Sequence, residues 1–335
     1  MGEHLLNEGK RHSPRRASRH GHWFAALTFA FLVSMSNALQ ARVNGAASEF
    51  VANPITAAMM SVGGGFICAT LLIVFYAPAR RRVGSLFRAG KQGRLSWWNY
   101  LAGMGGAIFI LGQATVVPAY GVTLYMVSVV AGQSVASLLV DRLGIGVGPR
   151  RLVTVSRVAA AMLALAGALM IGLARPDGIV LAVAGLTWGL GAGGVTAIQY
   201  ALNGLISQET GSVLVTSALN FFMGFSLLTA FYAIAAAIAG HPIGAPPAIL
   251  EHPLLWLGGP LGLLFIAAAA ALVRTLGVLA FTVTSVSGQL TGALALDQVM
   301  PTNGSVLNGL VFVGFAATVT GVLFAGMSRR EVLPD

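Results

Sequence analysis

Gln40-Ala41-Arg42-Val43-Asn44-Gly45 and Gln199-Tyr200-Ala201-Leu202-Asn203-Gly204 are one pattern written twice. A second pattern recurs in the same order: Gly132-Gln133 leads to Asp141, and Gly288-Gln289 leads to Asp297. The first pair is offset by 159 positions and the second by 156, so two long segments align with one small gap. An internal repeat in a very apolar chain is the signature of a membrane transporter built from two related halves.

Of 335 residues, 56% are hydrophobic and only 9% are charged, with a mean hydropathy of +0.81. Soluble domains carry about 25% charged residues. Ten apolar runs are legible, at about 23–43, 54–76, 98–117, 121–141, 152–174, 179–200, 213–239, 254–273, 277–297 and 305–327. Each is long enough to cross a hydrocarbon core of roughly 30 Å. The expected fold is therefore an all-α membrane protein of ten transmembrane helices. The expected organisation is a basic cytoplasmic tail (1–22), two five-helix repeats (23–175 and 176–328) and a C-terminal cytoplasmic tail (329–335).

The net charge of +10 invites a nucleic-acid reading, but its placement opposes one. Basic residues gather in the first 22 positions, between the second and third runs (Arg80, Arg81, Arg82, Arg88, Lys91, Arg94) and around Arg142, Arg150, Arg151 and Arg157. Arg274, Arg329 and Arg330 follow later runs. With the amino terminus inside and ten spans, these 18 residues all fall on the cytoplasmic side, and only Arg42 and Arg175 fall near the outer side. That is the positive-inside rule, which predicts a multi-pass inner (plasma) membrane protein with both termini in the cytoplasm. The basic tail is also suited to anionic lipid. The apolar run after it is too long for a cleavable signal.

Five spans per repeat is an odd number, so the second copy must enter the membrane from the opposite side. The loops agree. Residues 78–96 carry six basic side chains, whereas the equivalent 240–253 carries none. Related segments with opposite charge bias predict an inverted 5+5 repeat. Within the runs, Gly185, Gly189 and Gly193, and Gly258 and Gly262, are spaced for close helix contact. Gly189–Gly194 also fits a dinucleotide fingerprint by letter, but it lies mid-span with no preceding strand and reads as packing.

The polar residues inside the runs are the candidates for function. Asn37, Gln40 and Asn44 share one helical face, and Thr196, Gln199 and Asn203 share the matching face. Buried amides are costly unless hydrogen-bonded. They therefore either line a substrate pathway or tie helices together, and the sequence leaves both open. Gln133 and Gln289 lie mid-span behind glycines and are the preferred central pair. Tyr125 is a further pathway candidate, with interface anchoring as its alternative. Asp141 and Asp297, at span ends, are the candidates for ion coupling, although Arg142 stands ready to neutralise Asp141. Arg42 is placed to attract an anion, to snorkel or to pair with Glu49.

Catalytic chemistry finds no foothold. The one cysteine, Cys68, forms no disulfide within the chain, no histidines show metal spacing within a run, and no phosphate-binding loop exists. No enzyme activity, cofactor, metal or ATP-driven pumping is expected. The expected partners are a small-molecule substrate and the lipid bilayer, not nucleic acid, and a homo-oligomer stays open.

At these residues the chain resembles the drug/metabolite transporter superfamily, and within it the YdcZ-type branch of inner-membrane exporters. The resemblance rests on Gln40-x3-Asn44, on Ser61 and Gly65, and on the stretch from Gly132 to Gly144. It spans about 23–327 and is better in the first half. It implies a ten-helix inverted-repeat fold, two halves fused in one chain, and alternating access. It supplies no substrate. The second half carries Ala293 where the first has Ser137, which sets the halves apart. The resulting expectation is a secondary transporter that exports a small metabolite or drug-like molecule, with proton coupling as one mode. The rival expectations are a non-transporting scaffold and a membrane enzyme acting on lipid.

Overall fold

The computed structural model describes residues 14–147, 150, 152–174 and 179–327. The tail before Pro14, Arg151, Arg175 and the tail 329–335 lie outside the described residues. Among the described residues every regular element is helical. The α-helices are α1 (Pro14–Val51), α2 (Pro54–Phe75), α3 (Ala77–Lys91), α4 (Gly103–Tyr120), α5 (Val122–Leu143) and α6 (Val155–Leu173), then α7 (Ile179–Thr210), α8 (Val213–Ala239), α9 (Gly258–Leu276), α10 (Val278–Val299) and α11 (Gly309–Met327). Over the described residues, eight of these are long and apolar enough to cross a membrane: α1, α2, α4, α5, α6, α8, α9 and α11. α7 and α10 are also long, at 32 and 22 residues, and pack between them.

Local chemistry repeats with the sequence. Asn53 caps α2 by accepting from the Thr56 amide, and Ser212 caps α8 by accepting from the Val215 amide. Each cap follows a left-handed residue, Ala52 (φ 50°) before α2 and Gly211 (φ 64°) before α8. α5 and α10 both start after a glycine in nearly the same conformation, Gly121 at φ 85°, ψ 164° and Gly277 at φ 78°, ψ 160°. Such angles are close to glycine-only territory.

Packing repeats as well. A Cβ on Gly132 would lie 2.2 Å from the Leu190 carbonyl oxygen, and one on Gly288 would lie 2.3 Å from that of Phe31. Gly103 presses on the Asn220 backbone as Gly259 presses on that of Ser61. Where lipid provides no hydrophobic drive between helices, such small residues let backbones approach. In α5 every residue from Val122 to Gly132 is buried.

The contacts also fix helix direction. Along α5 and α7, Gly185 meets Tyr120 and Leu124, Gly193 meets Val129, and Gly146 meets Ala201, so these helices are parallel. Along α1 and α10, Ser34 hydroxyl donates to Ser285 and Arg42 Nε donates to the Met300 carbonyl, so these are parallel too. Asp297, near the end of α10, meets the start of α5. The two pairs therefore run in opposite senses, and α1 opposes its repeat counterpart α7.

Residues 78–96, read from the sequence as a basic loop, hold all of α3 but its first residue. Ala79, Leu86 and Ala89 are buried on one side while Arg80, Arg81, Arg82, Arg88 and Lys91 are exposed on the other. Its apolar spacing was masked by the run of arginines. Tyr100 hydroxyl donates to the Leu86 carbonyl at 2.9 Å, and Arg94 pairs with Glu209 at 2.5 Å. That pair is solvent-exposed and adds little. Glu209→Gln is expected to shift stability by less than about 1 kcal/mol, checked by thermal unfolding in detergent.

Candidate substrate cavity

A cavity of about 940 Å3 lies among α5, α7, α9 and α10, with the ends of α6 and α11 at its mouth. It runs from Gln133 and Gln289 towards the end of the bundle that carries Arg157 and Arg274. That end also holds α3, which contacts the last turn of α7. The residues that close the opposite end, around Asp297 and Arg42, contribute no wall.

The centre is built from amides and hydroxyls. Gln133 Nε2 donates to Thr196 Oγ1 at 3.0 Å, and Gln289 Nε2 donates to Ser285 Oγ at 3.1 Å. Tyr200 lines the wall alongside Gln133. Asn203 lines the wall, where its Oδ1 accepts from Asn220 Nδ2 at 2.9 Å. Apolar side chains such as Leu138, Phe265 and Val286 complete the walls. Nearer the mouth, Arg157 pairs with Asp141 at 2.5 Å, and Arg274 stands exposed. Arg157, from α6, takes the charge-pairing place that the sequence gives to Arg142. The arrangement offers an amphipathic space with a hydrogen-bonding floor. Among the described residues no cluster of side chains is placed to hold a metal.

Of the residues singled out in the sequence, Gln133, Gln289, Asn203 and Asp141 are brought together around this cavity. The others are elsewhere. Gln40 is buried against Gly262 of α9, and Gln199 against Gly105 and Gly106 of α4. Asn44 Nδ2 donates to Gln113 Oε1 at 2.6 Å, behind Gly258. Asn37 is buried in α1 away from the cavity. Tyr125 is fully buried, and its hydroxyl donates to the Phe109 carbonyl at 2.5 Å. These side chains are buried against neighbouring helices instead of facing open space. Asp297 lies at the far end, where Oδ1 accepts from the Val122 amide at 2.9 Å and Oδ2 from the Thr123 amide at 2.7 Å. Arg42 donates to the Met300 carbonyl and not to Glu49. Sequence reasoning missed Tyr200, Arg157 and Arg274 as cavity residues. Tyr200 had a signal, since it sits one position from Gln199 and so projects from a different helical face.

Residues 25–170 and 184–324 each match one family model, described as "Putative inner membrane exporter, YdcZ", within the drug/metabolite transporters. The chain belongs to this family. It carries the YdcZ unit twice, and it is a multi-pass inner membrane protein of an exporter family. A solved structure described only as "Crystal structure of protein" superposes with a TM-score of 0.52 at 19% identity, covering 91% of this chain and 96% of its own. At that identity the likeness speaks for this chain's fold alone. Nothing among the curated proteins matches.

Proposed function

We propose that this chain is a secondary transporter that exports a small amphipathic molecule by alternating access. Its ten long helices would all cross the membrane, as inverted five-helix halves at about 23–175 and 176–328, with tails 1–22 and 329–335 in the cytoplasm. The opposed directions of α1 and α7 and the doubled family match support that layout. The concentration of arginine at the cavity mouth supports a cytoplasmic opening in this state.

One observation carries the reading: a central cavity floored by Gln133 and Gln289 is open to one end and walled off from the other. A pore would connect both ends, and a scaffold needs no such space. The substrate would place its apolar body against Phe265 and Val286 and its polar groups on Gln133, Gln289, Tyr200 and Asn203. Exchange of protons at Asp141 and Asp297 would drive export. An export rate indifferent to an imposed pH gradient would remove the proton step.

The test compares the media of cells overexpressing the wild type with those overexpressing Gln133→Ala/Gln289→Ala, at equal membrane levels. A compound that accumulates outside only with the wild type supports both substrate and site. Identical profiles across a broad panel, in uptake as well as efflux, return the scaffold reading.

A further inference from the structure

The closed end of the bundle is a template for the open end. At the closed end, Asp297 grips the first two amides of α5, those of Val122 and Thr123. Beside it Gly45 packs on Val117, where a Cβ would lie 3.2 Å from Val117 Cβ. Asn44 bonds Gln113. The repeat offsets, 159 for α1 and 156 for α4, α5 and α10, map these contacts onto named counterparts. Gly45 and Val117 become Gly204 and Val273. Asn44 and Gln113 become Asn203 and Ala269. Asp297 and the start of α5 become Asp141 and the start of α10.

Each of those counterparts is apart here. Gly204, Val273, Asn203, Ala269 and Asp141 all stand on the cavity walls. A Cβ on Gly204 would meet only Val147, at 3.5 Å. A Cβ on Gly121 would lie 3.0 Å from Asp297 Oδ2, but one on Gly277 would meet nothing within 4 Å. The two glycines nevertheless hold the same backbone geometry, so α10 presents the start that α5 presents to Asp297.

Resting on the alternating-access reading, we propose that Asp141 and Asp297 are reciprocal latches. Asp297 shuts one end by capping α5. In the opposite state it lets go, and Asp141 leaves Arg157 and caps the first turn of α10. A carboxylate on helix-start amides satisfies donors that lack intrahelical partners and meets the positive end of the helix dipole. Closure at the cavity mouth would bring Gly204 against Val273 and Asn203 against Ala269. The far end would open beside Asn44, which would then take the wall position that Asn203 holds now. Asp141 and Asp297 act here as positioning residues, since they move helices without touching substrate.

Gly204→Cys/Val273→Cys in a Cys68→Ala background tests this. In the closed geometry the two Cβ atoms would come within the range a disulfide needs, about 3.5–4.5 Å after slight adjustment. Oxidant-driven cross-linking in membranes, read by protease cleavage in the 240–253 loop, reports the opposite state without any substrate. Cross-linking is expected. Asp141→Asn should slow it about tenfold or more, given the strength of hydrogen bonds to charged groups. Arg157→Gln and Asp297→Asn should speed it by a similar factor. Asp141→Asn leaves the Asp297 latch intact, so the protein should still reach the membrane. Absence of a cross-link in a folded protein overturns the proposal. So do rates indifferent to Asp141, or Asp141→Asn and Asp297→Asn moving the rate in the same direction. A chain that transports yet fails these tests keeps its function and loses the latches. A chain that passes them with no exported compound keeps the latches and loses the function.

Discussion

Gly132→Val is expected to destabilise the folded bundle by about 3 kcal/mol, since overpacking a tight contact costs that much when nothing can move aside. The obstacle is the Leu190 carbonyl oxygen, 2.2 Å from where a Cβ would sit, and it is backbone. α5 and α7 would have to part along their whole contact. Gly288→Val should behave alike, against Phe31 at 2.3 Å. Gly191→Ala is the control, because a Cβ there meets nothing within 4 Å. Alanine favours a helix over glycine by about 1 kcal/mol, so this variant should be unchanged or slightly stabler. Melting in detergent, followed by size-exclusion chromatography, ranks the three. Equal melting temperatures would refute the close-packing account.

Gln133→Ala/Gln289→Ala should cut transport about 10- to 100-fold while leaving membrane levels unchanged, given about 1–3 kcal/mol for buried polar groups left without partners. Both amides face the cavity and each anchors to one hydroxyl of its surroundings. Their loss removes the floor, not a helix contact. By contrast, Gln40→Ala and Gln199→Ala should act through stability, since these amides press on Gly262 and on Gly105 and Gly106. Separate measurement of transport and of thermal stability for the four single variants distinguishes the two groups. A transport defect of equal size in all four, with no change in melting, would dissolve the distinction.

The repeats, the central glutamine pair and the glycine contacts were legible because they are written in residue identity and spacing. The facing of the amides was not. Gln40, Asn44 and Gln133 look alike in sequence, since a buried amide needs a partner whether that partner is a neighbouring helix or a pathway. What separates them is the opposing helix: Gln40 meets a glycine of α9, whereas the space before Gln133 is open. Gly258 and Gly262 were noted for packing, but nothing local says that their guests are Asn44 and Gln40. The helix α3 was hidden for a related reason, its three buried residues being diluted by charge. Gln113, fully buried on α4, had no repeat partner to draw attention to it, because its counterpart is Ala269.

Arg42 has Ala201 as its counterpart, and Arg157, at the offset of 154 by which Gly167 on Thr318 maps onto Gly321 on Ala164, has Val311. In a dimer of identical halves, two conformations related by the two-fold axis in the membrane plane have equal free energy by symmetry, and neither can be the default. Fusing the halves lifts that degeneracy. One arginine braces the shut end through Met300 while the other detains Asp141 at the open one, and both favour the same conformation. On the alternating-access reading, a single substitution at Arg42, which lines no part of the cavity, would therefore retune which way the empty protein faces at rest without altering the cavity itself.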